Sequence, residues 1–306
     1  MMAKGLPLCH FSKSKMPRKK KILFIVNPTA GTRTHKFEEA LISKWLDHER
    51  FDYEMHVTRH AGDGTETIQK RIAEFDGFIA VGGDGTVNEV FKGVLDSKKW
   101  FGVVPSGSGN GLARTLNIPM NIEGAFQHLN KGKVKAIDYV KINDDSFVNV
   151  AGIGFDAKVA HKFKNLKVRG LKSYAKVTLQ EFGKSKDRPI KISFKGKTFK
   201  EKAMMVSFAN STQFGNNAFI APKAELDDGK VNIVVLKKFQ WLDVPFLVWQ
   251  LFSKSIHQSR LQKEYAVKKA TIESKKGIYL HIDGEARAKV NKVKLKVVRK
   301  GVKVIA

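Results

Sequence analysis

The chain has 306 residues, 42% of them hydrophobic, and its 56 lysines and arginines against 29 aspartates and glutamates give a net charge of +27. This hydrophobic content excludes a globally disordered chain, and the length suits two domains better than one. A single cysteine, Cys9, excludes an intramolecular disulfide framework and fits a reducing, cytoplasmic setting. No apolar run reaches the roughly 18–20 residues that span a bilayer, so we expect no transmembrane helix.

Residues 1–19 are basic and predict a flexible, disordered tail. Beyond them, short apolar runs typical of buried strands alternate with segments of helical periodicity. The predicted strands cover residues 21–26, 53–58, 77–81 and 101–104, and the predicted helices cover residues 37–45, 64–75 and 87–95. This alternation predicts a doubly wound parallel sheet, which we assign to residues 20–133.

From residue 134 the pattern changes to many short strands of alternating polarity. They are predicted at residues 136–142, 146–150, 190–194, 203–209, 230–236, 266–272, 278–282 and 293–298. We therefore predict an α/β protein whose N-terminal parallel sheet is followed by a mainly antiparallel β-sandwich domain over residues 134–306.

Two helical inserts interrupt the second domain, at residues 158–182 and 241–259. Pro245 suits the first turn of the second insert. Residues 241–252 carry nine large apolar side chains, and core packing is the prediction we favour for them. The alternative is a lipid-facing lid or interfacial helix, because tryptophans suit a membrane interface.

A glycine-rich turn, Gly82-Gly83-Asp84-Gly85-Thr86, directly follows the third strand and precedes a helix. Glycines let backbone N–H groups approach phosphate oxygens, and the helix N-terminus adds a favourable dipole. Asp84 has the wrong sign for phosphate, so it either holds a magnesium ion or caps the turn. Thr86 and Asn88 can donate hydrogen bonds to phosphate or ribose. The turn predicts a nucleotide-phosphate site, and an ordinary strand-to-helix turn is the alternative.

Two further loops follow strands that end at the same edge of the predicted sheet. One is Asn27-Pro28-Thr29-Ala30-Gly31, and the other runs from Pro105 to Arg114 with three glycines and two serines, Ser108 among them. Three such loops at the carboxyl edge of a parallel sheet indicate a ligand site. The similar turn Gly62-Asp63-Gly64 is interpreted as a turn and helix cap only.

A third motif, Asp283-Gly284-Glu285, joins two strand-like stretches near the C-terminus. Two carboxylates beside a glycine can supply a base for an attacking hydroxyl and a partner that orients magnesium. An ordinary Asp-Gly hairpin with an exposed glutamate explains the same residues. The sequence leaves open which carboxylate would be the base.

These motifs in this order resemble the diacylglycerol kinase catalytic domain family, which includes bacterial lipid kinases, sphingosine kinases and ceramide kinases. The resemblance covers nearly all of residues 21–303. It implies that the γ-phosphoryl group of ATP is transferred, with Mg²⁺, to a lipid hydroxyl. The loop Gly107-Ser108-Gly109-Asn110 is more similar to sphingoid-base kinases than to bacterial diacylglycerol kinases, so the acceptor lipid stays open.

The resemblance also assigns residues. It implies nucleotide contacts at Asn27, Pro28, Thr29, Ala30, Gly31, Thr58, Gly82, Gly83, Asp84, Gly85, Thr86, Val87, Asn88 and Ser108. It implies that Asp283 or Glu285 is the base, with Asp84 as a further catalytic residue. Glu225, Asp228 and Lys230 match a secondary magnesium site of some bacterial members.

The positive charge predicts polyanionic partners. A lipid substrate at an anionic membrane surface is the expected partner, with peripheral contact by a cytoplasmic protein. Nucleic acid is not expected because no nucleic-acid-binding motif accompanies the charge, and a homodimer is left open. The alternatives are a nucleotide kinase similar to NAD kinase, which shares the GGDGT turn, and a non-catalytic nucleotide- or nucleic-acid-binding module.

Overall fold

The computed structural model describes residues 18–30, 39–164, 177–178, 180–182 and 186–306. The predicted tail over residues 1–19 therefore lies almost wholly outside the described residues. Gly31 of the first loop and the middle of the first helical insert lie outside them as well. Within the described part of the chain, no helix is long and apolar enough to cross a membrane.

The first part of the chain forms a parallel sheet, as its alternating pattern predicts. The strands are β1 (Lys20–Val26), β2 (Phe51–Val57), β3 (Gly77–Gly82) and β4 (Trp100–Pro105), in the spatial order β4-β3-β1-β2. The helices are α1 (Glu39–Trp45), α2 (Asp63–Arg71), α3 (Asp84–Val94), α4 (Gly111–Thr115) and α5 (Ile122–Lys131). β1, β3 and β4 are almost fully buried because helices cover the sheet.

The second part of the chain is an antiparallel β-sandwich. Its strands are β5 (Val134–Ile142), β6 (Asp145–Phe147), β7 (Val150–Gly154), β8 (Arg188–Phe194), β9 (Lys197–Ala203), β10 (Met205–Ala209), β11 (Val231–Leu236), β12 (Gln262–Val267), β13 (Lys269–Ile282) and β14 (Glu285–Ile305). Its helices are α6 (Phe155–Lys164) and α7 (Val244–Phe252), the latter flanked by short 3-10 turns. Pro245 lies in the first turn of α7, as predicted.

β14 connects the two parts of the molecule. It pairs antiparallel with β13 and β5 along most of its length. At its end, Lys303 and Val304 pair in parallel with Trp100 and Phe101 of β4. The strands of the two parts therefore form one continuous hydrogen-bonded sheet. The C-terminal end of β14 lies next to β4, the outer strand of the parallel part.

Three apolar clusters form the interior. One surrounds the parallel sheet and also takes in Val302 and Val304 of β14. A second fills the space between the sandwich layers, and a third lies between β7, β10 and β11 and the helices α6 and α7. Because the first cluster includes residues from both ends of the chain, the parallel sheet depends on β14 for its packing as well as for its hydrogen bonds.

Two sequence predictions differ from the structure. The strand predicted at residues 266–272 is divided at Lys268, where β12 ends and β13 begins. Core packing of residues 241–252 is also wrong for most of that segment, because Leu242 is 90% exposed and Trp249 is 58% exposed, while Leu247 is buried. Apolar content alone could not distinguish a buried helix from one held on the surface.

Candidate active site

The predicted loops do meet at one edge of the parallel sheet. The four strands end at the same level of the sheet, because Val26 pairs with both Val57 and Val81, and Gly82 pairs with Pro105. Asn27 begins the first loop, and its backbone N–H donates to the carbonyl of Val81 at 3.1 Å. The carboxyl edge of a parallel sheet is where such folds bind ligands.

The first loop and the end of β2 lie beside each other. The Asn27 side-chain oxygen accepts hydrogen bonds from the backbone N–H and the hydroxyl of Thr29, both at 2.9 Å, in a turn that also holds Pro28 and Ala30. Thr58 follows β2, and its N–H donates to the Val26 carbonyl at 2.8 Å. The predicted nucleotide contacts of these two strands therefore share one edge.

The turn after β3 leads directly into α3. Gly82 and Gly83 form the turn, and α3 begins at Asp84. A side chain at Gly82 would overlap the Thr86 hydroxyl, so only glycine fits. The Thr86 oxygen is buried and has no hydrogen-bond partner among the described residues. Its place at a helix N-terminus is compatible with the phosphate contact expected of Thr86, which stays a prediction.

Asp84 joins the turn after β3 to the loop after β4. Its Oδ2 accepts from the N–H of Asn110 at 2.9 Å, and its Oδ1 accepts from the N–H of Gly111 at 2.8 Å. Burial raises the pKa of the Asp84 carboxyl, and these N–H donors oppose that rise. Asp84 therefore fastens the two loops together, whereas no described side chain caps the N-terminus of α3. Its role as a magnesium ligand stays a prediction.

The backbones of the two loops are in direct contact. Ser106 and Gly107 both donate their N–H groups to the carbonyl of Gly82, at 2.9 and 3.2 Å. A side chain on Gly107 would overlap the backbone of Gly83, which accounts for the glycines at this crossing. Ser108 lies at the exposed tip of the second loop. The hydroxyl at this tip is available to a ligand bound over the turn.

Asp283 comes from the second domain and lies against α3. Its Oδ2 accepts a hydrogen bond from the Asn88 amide at 2.7 Å, and its Oδ1 accepts from the backbone N–H groups of Asn149 and Val150 at 3.2 and 3.0 Å. Burial raises the pKa of Asp283 to about 6, and the charge of Asp84 contributes to the rise. The pKa of Asp283 is therefore shifted toward neutral pH relative to an ordinary aspartate.

The turn that carries Asp283 is a tight hairpin between β13 and β14. Asp283 and Gly284 both have positive φ, 46° and 82°, as a two-residue hairpin of this hand requires. The interpretation of these residues as an Asp-Gly hairpin is thus correct for the backbone conformation. The same hairpin also delivers one carboxylate to Asn88 and holds the other, Glu285, beside the glycine turn.

Glu285 lies opposite the N-terminus of α3. Its Oε2 is paired with Arg287 at 2.8 Å, and its Oε1 lies 3.6 Å from the position that a side-chain carbon on Gly85 would occupy. Arg287 also contacts Asp145 at 3.3 Å, and Asp145 pairs with Lys92 of α3 at 2.5 Å. This row of alternating charges bridges the two domains beside the glycine turn and holds Glu285 in place.

The residues of the predicted secondary magnesium site, Glu225, Asp228 and Lys230, do not form a cluster of metal-binding side chains. Glu225 is exposed, and Asp228 pairs with the ammonium of its own neighbour Lys230 at 3.1 Å. The described residues contain no group of three or more acidic, histidine or cysteine side chains that could hold a metal ion. Magnesium binding at these residues stays a prediction.

Sequence reasoning missed three supports of the site. Glu89 accepts hydrogen bonds from the N–H groups of Gly62 and Gly64, at 2.9 and 3.0 Å, and so fastens the cap of α2 to α3. Glu89 directly follows Asn88 in the sequence, so its position was a usable signal. Arg287 and Asp145 had no such signal, because their contact joins residues 142 positions apart.

Comparison with known proteins matches both parts of the fold to described families. Residues 21–142 match the diacylglycerol kinase catalytic domain family, and residues 149–306 match the YegS C-terminal NAD kinase beta sandwich-like domain. The diacylglycerol kinase of Bacillus subtilis (strain 168) is 31% identical over 227 residues, which are 72% of this chain and 74% of that protein. The diacylglycerol kinase of Staphylococcus aureus (strain bovine RF122 / ET3-1) is 28% identical over 280 residues, 89% of this chain and 88% of that protein.

Two crystal structures from Bacillus anthracis str. Sterne share the fold. One, of a diacylglycerol kinase, has a TM-score of 0.73 at 24% identity and covers 94% of this chain and 97% of that chain. The other has a TM-score of 0.78 at 25% identity and covers 94% of this chain and 96% of that chain. The parallel sheet, the sandwich and their joint edge are thus a shared architecture.

A glycine turn on a parallel sheet, faced by a carboxylate hairpin from a β-sandwich, is compatible with phosphoryl transfer. The chain belongs to the diacylglycerol kinase catalytic domain family and is a lipid kinase.

Proposed function

We propose that the protein transfers the γ-phosphoryl group of ATP to the hydroxyl of a lipid, and that diacylglycerol is the acceptor. The observation that carries this proposal is the hydrogen bond between Asn88 and Asp283, which holds a carboxylate of the second domain against the helix that follows the glycine turn. The curated relatives are named diacylglycerol kinases, which supports the choice of acceptor.

The parallel-sheet edge would bind ATP. The N–H groups at Gly83 to Gly85 and the free Thr86 hydroxyl would donate to phosphate oxygens, assisted by the dipole of α3. Ser108 and the Asn27 loop would complete the nucleotide site from the neighbouring strands. Asp84 would contribute by keeping the two glycine loops together through the N–H groups of Asn110 and Gly111.

Magnesium fits this site through Glu285 better than through Asp84. Mg²⁺ usually keeps several waters and binds one or two carboxylates together with substrate phosphates, so it needs no cage of protein ligands. Glu285 has an oxygen directed at Gly85, whereas both oxygens of Asp84 already accept peptide N–H groups. When bound, the ion would neutralise charge on the transferring phosphoryl group.

Asp283 is the proton acceptor that we propose for the lipid hydroxyl. A general base works best when its pKa lies near the working pH, and burial raises the pKa of Asp283 to about 6. Asn88, Asn149 and Val150 hold the carboxylate in one orientation, and Oδ2, which accepts one bond from Asn88, would have its second lone pair for the proton of the lipid hydroxyl. Glu285, held by Arg287, would instead face the phosphates and their magnesium.

A sphingoid base is the second candidate acceptor, because Ser108 lies in a Gly107-Ser108-Gly109 loop of the sphingoid-kinase type. Purified protein would be incubated with γ-labelled ATP, Mg²⁺ and separate acceptors: diacylglycerol, a sphingoid base, ceramide, undecaprenol and NAD. We expect labelled diacylglycerol. If only the sphingoid base is labelled, the acceptor is a sphingoid base and not diacylglycerol. If only NAD is labelled, the protein is a nucleotide kinase and the proposed lipid acceptor is wrong. Asp283→Asn, with ATP binding retained, is the matched inactive control.

A further inference from the structure

The strongest unexplained feature outside the active site is an exposed apolar segment, residues 241–252, which we call the docking segment. It holds most of the large apolar side chains that the described residues expose: Trp241 (55%), Leu242 (90%), Phe246 (57%), Val248 (46%), Trp249 (58%) and Phe252 (54%). Elsewhere among the described residues only Val57 and Val134 are large, apolar and exposed. Large side chains concentrated in this way mark an interaction surface.

The docking segment is held firmly rather than left loose on the surface. Leu247 and Gln250 on the inner face of α7 are buried, and the Leu251 carbonyl accepts the N–H of Phe219 at 3.0 Å. The ring of Trp241 packs edge-on against Phe182, with ring centroids 4.5 Å apart. The exposed side chains are therefore presented by a fixed scaffold, which lowers the entropy lost on binding.

The outer face of α7 is apolar without interruption. Its nine residues, Val244 to Phe252, include no charged side chain, and the rings of Phe246 and Trp249 stack with centroids 5.7 Å apart. A helix of nine residues is about 14 Å long, less than half of the roughly 30 Å hydrocarbon core of a bilayer. It can lie in the plane of a membrane surface but cannot cross the membrane.

Basic residues flank the docking segment. Lys238 precedes it, and Lys254 and Arg260 follow it, all three exposed. The acidic residue within the segment, Asp243, accepts the N–H of Gln240 and pairs with Arg260 at 3.2 Å. An apolar centre with tryptophans and a basic margin matches the interface of an anionic bilayer, where aromatic rings lie at headgroup depth and lysines meet lipid phosphates.

We propose that the docking segment binds the surface of an anionic phospholipid bilayer, with Trp249, Phe246 and Leu242 inserted among the acyl chains and Lys238 and Lys254 on the headgroups. A second copy of the chain fits less well, because two molecules of net charge +27 repel each other. The proposal deepens the proposed function, since a kinase of membrane lipids has to work at the surface that holds its acceptor.

The test uses the full chain and vesicles of phosphatidylcholine, with or without phosphatidylglycerol. In the double variant Phe246→Ser/Trp249→Ser, we expect vesicle co-sedimentation to fall about tenfold or more, because the lost apolar area no longer enters the bilayer. Val134→Ser, an exposed apolar position outside the segment, should bind like wild type. Lys254→Glu should weaken binding only to vesicles that contain phosphatidylglycerol.

Wild-type binding by the double variant would overturn the proposal. So would a change from dimer to monomer in the variant during analytical ultracentrifugation, with vesicle binding unchanged, because a second copy would then cover the face. Bromine-labelled acyl chains should strongly quench the tryptophan fluorescence of wild type, and quenching should fall in Trp249→Phe; no quenching in wild type would equally overturn the proposal. Circular dichroism of each variant checks that the fold is intact.

Turnover separates this proposal from the proposed function. The double variant should phosphorylate a short-chain, water-soluble diacylglycerol as wild type does, and should lose activity on diacylglycerol held in vesicles. If wild type phosphorylates neither acceptor, the proposed function fails, while the co-sedimentation result still decides the docking segment.

Discussion

The Asn88 amide donates a 2.7 Å hydrogen bond to the Asp283 carboxylate, joining residues that lie 195 positions apart. Asn88 is on the first helical turns after the glycine turn, and Asp283 is on the hairpin of the β-sandwich. Both side chains are buried, so the bond forms away from competing water. This pair helps to set the placement of the glycine turn relative to the two carboxylates of the hairpin.

Replacement of Asn88 by leucine should raise the pKa of Asp283 further, because the carboxylate loses a donor that favours its charged form. The acid limb of the pH–rate profile should move upward from about pH 6. Unfolding free energy should fall by about 1–3 kcal/mol, since a buried acceptor is left unpaired. The pH–rate profile and urea unfolding measure these effects, and Gln127→Leu on the exposed face of α5 is the control. An acid limb that stays at the same pH in Asn88→Leu would contradict the assignment of that limb to Asp283.

Asp283 and Glu285 should differ in their effect on pH dependence. If Asp283 is the base, wild-type kcat/KM falls as pH drops through about 6, and Asp283→Asn abolishes turnover while ATP binding persists. Glu285→Gln should lower turnover but keep the acid limb, because the titrating group remains. The reverse pattern, with the limb lost in Glu285→Gln, would assign the base to Glu285.

Asp283 should also affect stability in a pH-dependent way. Folding raises its pKa from 3.8 to about 6, so the native state holds the proton more tightly than the unfolded state. The stabilisation from that proton is present at low pH and is lost as pH rises from about 4 to about 6. Measured by urea unfolding, wild type should lose stability relative to Asp283→Asn across this window; a constant difference would show that the folded-state pKa is not raised.

Asp84→Asn should separate the two glycine loops. The new amide group would place a donor where the N–H of Asn110 or Gly111 now donates, so one hydrogen bond becomes a repulsive contact. We expect most turnover to be lost, ATP affinity to fall and unfolding free energy to drop by about 1–3 kcal/mol. Calorimetric ATP titration and thermal unfolding measure both effects. Normal ATP affinity and turnover would remove Asp84 from the site.

Gly107→Ala tests the contact between the loops from the backbone side. The added methyl group would overlap the backbone of Gly83, so the loops have to move apart and ATP affinity should fall about tenfold or more. Gly277→Ala on β13 is the matched control, because its new methyl group would make only ordinary contacts, the nearest at 3.4 Å. Equal ATP affinity in both variants would contradict a close-packed crossing.

The fold and the loop positions were accessible from the sequence because both depend on local pattern. Alternating apolar runs indicated the parallel sheet, and glycines directly after strands indicated the ligand edge. The partners within the site depend instead on tertiary contact: no spacing signals that Asp84 accepts from Asn110, or that Arg287 links Glu285 to Asp145. Likewise, the apolar residues of α7 have the composition of a core helix, and only the packing shows which face is left to solvent.

The path of β14 has a consequence for how this protein is made. The parallel sheet lacks the neighbour of β4 until Lys303 and Val304 have been synthesised, and Asn88 lacks its carboxylate until Asp283 has emerged. A nascent chain stopped near residue 133 would therefore have an open strand edge and an incomplete core. The half that holds the parallel sheet comes first in the chain but completes its fold last, together with the strand that follows the Asp283 hairpin.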